Sequence, residues 1–139
     1  MDERGIRTLC AGFCATIALF ARAGHAMPAT PLVVDGYRCT VVGTAAAEVL
    51  LGTPRRDVIC ALGGADKIDG LGGNDVILGG AGNDMLQGSG GHDVLLGGPG
   101  ADQFQAWDGA SDRIDGGPGS DRAWVDHTLD TVKRVEQFG

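Results

Sequence analysis

Aromatic side chains make up only 5% of the chain while glycine takes 25 of its 139 positions, a balance that suits a flexible linker or a disordered segment as readily as a folded domain. Basic residues are also scarce, 11 against 18 acidic, for a formal charge of −7. That deficit argues against nucleic acid and anionic membrane as partners and in favour of cations. The apolar stretch from Thr8 to Phe20 is thirteen residues long, short of the ~20 that a spanning helix needs, so no membrane span is expected. Catalytic signatures are missing too. There is no metal-protease helix motif, no serine in a nucleophile turn, and no histidine beside a candidate nucleophile, so the chain is not expected to be an enzyme.

The N-terminal 26 residues read as an export signal. Arg4 and Arg7 precede the apolar stretch, and the small-residue run Ala21-Arg22-Ala23-Gly24-His25-Ala26 follows it, with cleavage after Ala26 or Ala23. Asp2 and Glu3 run against this pattern, and a membrane anchor is the rival reading. Removal of residues 1–26 takes away two acids and three bases, which moves the net charge from −7 to −8. A secreted, extracellular product is expected. Cys10 and Cys14 leave with the signal, and Cys39 and Cys60 remain as one pair in an oxidising compartment, where a single disulfide is the expectation.

Internal periodicity decides the architecture. Asp57, Asp66, Asp75, Asp84, Asp93 and Asp102 recur every nine residues, with Glu48 in phase ahead of them. One residue is inserted near Trp107 to Ala110, after which the register resumes at Asp112, Asp121 and Asp130. Two places after each acid stands an apolar residue: Leu50, Ile59, Ile68, Ile77, Leu86, Leu95, Phe104, Ile114, Ala123 and Val132. Glycines precede the acids, as in Gly79-Gly80-Ala81-Gly82-Asn83-Asp84 and Gly97-Gly98-Pro99-Gly100-Ala101-Asp102. Over residues 43–125 the chain resembles the hemolysin-type calcium-binding repeats of RTX proteins, whose unit is G-G-x-G-x-D-x-U-x with U a large apolar residue. The resemblance implies an all-β fold, a parallel β-roll or right-handed β-solenoid, with Ca2+ bound between turns.

The residue types support the same geometry. A sharp six-residue turn needs backbone angles open mainly to glycine, and the remaining three residues form a short strand whose middle side chain points inward. Two units make one eighteen-residue coil, and stacked coils pair strands at ~4.8 Å. Asp66, Asp84 and Asp102 then line one edge of the roll, and Asp57, Asp75 and Asp93 the other. Carboxylates ~5 Å apart repel by several kcal/mol, and a divalent cation reverses the sign. Calcium accepts roughly six to eight oxygens in flexible geometry and welcomes carbonyls. His92 is the one histidine in the turns, which argues against zinc or copper. The candidate metal residues are Asp66, Asp75, Asp84, Asp93, Asp102 and Asp121 with Gly80, Gly82, Gly98 and Gly100. The inserted residue leaves the register of Asp102 with Asp121 open. Weak binding is expected at Asp57, behind Thr53-Pro54-Arg55-Arg56, and at Asp112.

Residues flanking the core positions divide by face. Lys67, Asp69, Met85, Gln87, Gln103 and Gln105 suit water. Val58, Cys60, Val76, Leu78, Val94 and Leu96 form an apolar strip. Two readings follow: residues 27–47, tied down through Cys39 and Cys60, cover part of it, or Val76, Leu78, Val94 and Leu96 receive a protein partner or a second copy. Trp107 and Trp124 are expected to fill irregular ends of the stack. The expected division is 1–26 signal peptide, 27–47 N-terminal capping segment, 48–123 calcium-binding β-roll and 124–139 C-terminal cap. Functionally this is a secreted structural or interaction module that folds on binding calcium; the alternative is a calcium-dependent folding or docking accessory to a separate enzyme or toxin chain.

Overall fold

The computed structural model describes residues 32–126 and 128–139. The expected signal peptide and His127 therefore lie outside the described residues. Every element among the described residues is a short strand. Strands β1 (Val33–Val34) and β2 (Tyr37–Arg38) form an antiparallel hairpin turned by Asp35 and Gly36, both at positive φ. Twelve further strands stack as two six-stranded parallel sheets. One sheet contains β3 (Val41–Val42), β5 (Val58–Cys60), β7 (Val76–Leu78), β9 (Val94–Leu96), β11 (Arg113–Asp115) and β13 (Thr131–Lys133). The other contains β4 (Val49–Leu51), β6 (Lys67–Asp69), β8 (Met85–Gln87), β10 (Gln103–Ala106), β12 (Arg122–Val125) and β14 (Gln137–Phe138). This is a parallel β-roll, and among the described residues no helix is long and apolar enough to cross a membrane.

The eighteen-residue coil sets the register. Ile59 pairs with Ile77 and Ile77 with Leu95; Ile68 pairs with Leu86 and Leu86 with Phe104. Across the inserted residue the spacing becomes nineteen, and Leu95 faces Ile114 while Phe104 faces Ala123. One insertion between β10 and β11 shifts both ladders together, so the register stays intact. The inward side chains Ile59, Ile77, Leu86, Leu95, Phe104 and Ile114 are all 0% exposed, and each large apolar residue buried this way contributes about 1.5–3 kcal/mol. Strand β3 already pairs with β5, so the first rung lies within residues 27–47, and β13 and β14 extend both ladders through residues 124–139.

The N-terminal segment covers part of the apolar strip, as the first of the two readings expected, while Val58, Val94 and Leu96 stay half-buried. Val76 and Leu78 are each 4% exposed and cluster with Cys39, Val42 and Cys60. Leu32, Val34 and Tyr37 from the N-terminal hairpin pack against that cluster, as do Val94 and Leu96. A Cys39–Cys60 disulfide, with its Cα atoms 5.8 Å apart, fixes the hairpin to β5. The physical reason is proximity: Val42 and Cys60 pair across the ladder, which brings the preceding hairpin over the strip. Trp107 departs from expectation. It is 72% exposed, because the inserted residue is accommodated in an outward loop and not at an end of the stack. Trp124 does sit at the last rungs, with the Arg122 guanidinium 5.9 Å from its ring centroid.

Cys39→Ala is expected to lower the unfolding free energy by about 2–4 kcal/mol, measured by chemical denaturation, because the bridge restrains the unfolded chain. Leu71 offers a gain. It holds φ 73°, in a turn position where Gly80 and Gly98 stand in other units. Since it is 45% exposed, Leu71→Gly loses little packing and is expected to raise stability by about 0.5–1 kcal/mol in the same assay.

Candidate functional site

Each turn ends in an aspartate whose side chain turns back into the wall of the roll. Asp66, Asp75, Asp84, Asp93, Asp102, Asp112 and Asp121 are all at most 2% exposed. One oxygen of each has a structural partner. Asp84 Oδ1 accepts the Asp66 backbone N–H at 2.8 Å, and Asp102 Oδ1 accepts that of Asp84 at 2.9 Å. On the other edge Asp75 Oδ1 accepts from Asp57, Asp93 Oδ1 from Asp75, and Asp112 Oδ1 from Asp93. Asp121 Oδ1 accepts from Asp102 at 2.9 Å, which closes the register that the insertion had left open.

The second oxygen has none. Oδ2 of Asp66, Asp75, Asp84, Asp93, Asp102, Asp112 and Asp121 is buried without a hydrogen-bond partner. A buried, unpaired carboxylate oxygen costs several kcal/mol, so seven in register point to a ligand between coils. A Cβ on Gly79 would meet Asp84 Oδ2 at 2.6 Å, and Gly70, Gly88, Gly97 and Gly116 stand in the same relation to Asp75, Asp93, Asp102 and Asp121. The first glycine of each of these turns makes room for the carboxylate, a need that the sequence reading did not assign to it. Asp112 was discounted there, yet it has the same buried Oδ2 as the others.

The four expected glycines lie in the turns at φ 91°, 139°, 99° and 152° for Gly80, Gly82, Gly98 and Gly100. A Cβ on Gly100 would fall on the Gly82 carbonyl, and one on Gly82 on the Gly64 carbonyl, so glycine is required for turn to stack on turn. The carbonyls of Gly80, Gly82, Gly98 and Gly100 accept no backbone N–H from a described residue. Uncommitted carbonyls in the turns and unpaired carboxylate oxygens at the turn ends offer an all-oxygen donor set, which fits a hard cation such as Ca2+.

The end units differ. Asp57 Oδ2 accepts from the Thr53 N–H at 2.6 Å and the Thr53 hydroxyl at 2.7 Å. Asp130 Oδ2 likewise accepts from Asp126 N–H at 2.8 Å. The Asp57 carboxylate is thus spent on its own turn, through Thr53 and not through the neighbouring arginines.

Burial is the main reason that the column acids resist ionising, offset in part by the backbone hydrogen bond each accepts. It pushes Asp66 and Asp75 up to about 6 and Asp102 and Asp112 up to about 7, from an ordinary value of 3.8. Neighbouring acids add to the rise: Asp84 and Glu48 at Asp66, and Asp108, Asp93 and Asp130 at Asp112. Asp84, Asp93 and Asp121 are raised for the same first reason.

The folded metal-free roll therefore binds more protons than the unfolded chain between pH 3.8 and about 7, and its stability falls as pH rises through that window. In chelator, strand content by circular dichroism is expected to be higher at pH 5 than at pH 8, where the calcium-free chain is disordered. With excess calcium the order is expected to reverse, since the ion displaces the protons.

The family model of the RTX calcium-binding nonapeptide repeat matches the chain in four copies, over residues 42–77, 69–104, 78–111 and 87–123. Neither the curated proteins nor the solved structures gave a match. The matched span coincides with the stacked coils and their aspartate columns, and calcium is the ion such repeats bind. The chain belongs to the RTX calcium-binding nonapeptide repeat family.

Proposed function

We propose that this is a secreted structural module, not an enzyme, whose roll folds when Ca2+ enters between successive glycine-rich turns. The observation that carries this reading is the set of seven buried Oδ2 atoms without partners. The sites lie between Asp66 and Asp84, Asp84 and Asp102, Asp102 and Asp121, and Asp75 and Asp93, with carbonyls from turn glycines such as Gly80, Gly82, Gly98 and Gly100 completing the shell. Bound calcium supplies the positive charge that lets stacked carboxylates stay ionised in the wall. The protein's part is to present one oxygen per aspartate to the ion while the other holds the coil before it.

Residues 1–26 act as the export signal, and the calcium-rich exterior is where the module meets its ion. The Cys39–Cys60 bridge suits such an oxidising compartment. The alternative is a calcium-dependent folding or docking accessory to a separate enzyme or toxin chain; docking through the apolar strip in particular has less support because Val76 and Leu78 are buried.

Circular dichroism of the full chain, titrated with calcium and in parallel with magnesium, tests the coupling. Calcium alone is expected to convert a disordered spectrum to strand; a chain already folded in chelator and indifferent to calcium would refute the proposal. Asp84→Asn keeps an oxygen for the Asp66 N–H but removes the charge. It is expected to weaken calcium binding at its two flanking sites about tenfold or more, some 1.4 kcal/mol, by calorimetry. Asp57→Asn, whose Oδ2 is already bonded to Thr53, is expected to leave the number of bound ions unchanged.

A further inference from the structure

The inserted loop adds a third acid to one inter-coil gap. Asp108 stands four residues before Asp112, at the turn position that Gly80, Gly98 and Gly117 hold in regular units. One carboxylate oxygen from each of Asp93, Asp108 and Asp112 lies within 4.8 Å of the others. Asp93 and Asp112 are 1% and 2% exposed, and each has an Oδ2 with no partner. Their Oδ1 atoms are committed to the Asp75 and Asp93 N–H groups, so Oδ2 is what each has left to offer the cluster. Asp108 is exposed, with Oδ1 accepting the Ala110 N–H at 2.9 Å.

Other groups near this gap are engaged elsewhere. Asp130 uses Oδ1 for the Asp112 N–H and Oδ2 for the Asp126 N–H. His92 Nδ1 lies 3.1 Å from the Ser111 carbonyl oxygen. No lysine or arginine is paired with any of the three acids among the described residues. A buried pair with a third, solvent-facing carboxylate also gives an ion a route in from water.

We propose that Asp93, Asp108 and Asp112 form a three-carboxylate calcium site, tighter than the two-carboxylate sites of the regular coils. The inference rests on the calcium reading above and goes beyond it: the insertion creates a distinct high-affinity site. Calcium affinity in oxygen sites rises with the number of charged ligands, so the third carboxylate sets this gap apart. Such a site fills first and pins the two halves of the roll across the irregular coil.

Calorimetric titration of calcium into the full chain tests it, with Asp108→Asn and Asp108→Ala compared against Asp84→Asn. The expected result is a class of one ion per chain, about tenfold or more tighter than the rest, absent from both Asp108 variants and retained in Asp84→Asn. Asp108 is exposed, so both variants should reach the wild-type dichroism spectrum at saturating calcium. Asp108 isotherms that superimpose on wild type would overturn the three-carboxylate site while leaving the calcium module standing. Absence of calcium binding in every chain, wild type included, would remove the underlying reading and this inference with it.

Discussion

The rest of the structure depends on one carboxylate being divided between two tasks. In each regular coil the aspartate gives Oδ1 to the backbone N–H of the aspartate in the coil before it, and leaves Oδ2 alone in the dry wall. The first task is stacking, since these bonds run through both edges of the roll from Glu48 to Asp130 and Glu136. The second is an unpaid electrostatic debt, because ionised oxygens in register repel and lack water. A divalent ion between coils would offset that repulsion, so stacking and metal binding draw on the two oxygens of one carboxylate.

The ends of the stack show what happens without that division. Glu48 accepts the Thr44 N–H, Asp57 the Thr53 N–H, and Asp130 the Asp126 N–H, each from four residues back in its own turn. Where glycine pairs replace these turns, the chain follows a different path: the Gly80 N–H goes to the Gly97 carbonyl and the Gly98 N–H to that of Gly116, one coil on. The donor that could have satisfied the carboxylate locally is used to stack the turns. Glycine thus does two things here: it permits the approach of turn to turn, and it leaves the acid available.

The roll also needs its flanks closed. At its start the hairpin and the Cys39–Cys60 bridge lie against the apolar side of β5 and β7. At its end Arg134 pairs through both Nε and Nη2 with the two oxygens of Asp115 at 2.6 Å, and the side-chain hydrogen bond from Arg134 holds the Asp115 carboxyl below its ordinary value. That pair is exposed on the arginine side, so it orients the last turn more than it stabilises the whole.

Much of this was legible in the sequence. The nine-residue spacing of aspartates and the apolar residues two places on marked the core positions Ile59 to Ile114 through strand alternation, and the resemblance to RTX repeats implied the roll whose coils set the acids along two edges. The Cys39–Cys60 pair was legible through the expectation that Cys10 and Cys14 belong to an export signal. What the tertiary structure decided was which oxygen does what. Nothing in the string of residues says that Thr53 satisfies Asp57, that Asp112 keeps its Oδ2 free, or that one insertion shifts both ladders to nineteen residues in step. Nor does it choose between cover by the N-terminal segment and an open strip at Val76 and Leu78, or say that Asp108 reaches Asp93. These depend on contacts between coils eighteen or nineteen residues apart, and a local period cannot specify the path each turn takes across the gap.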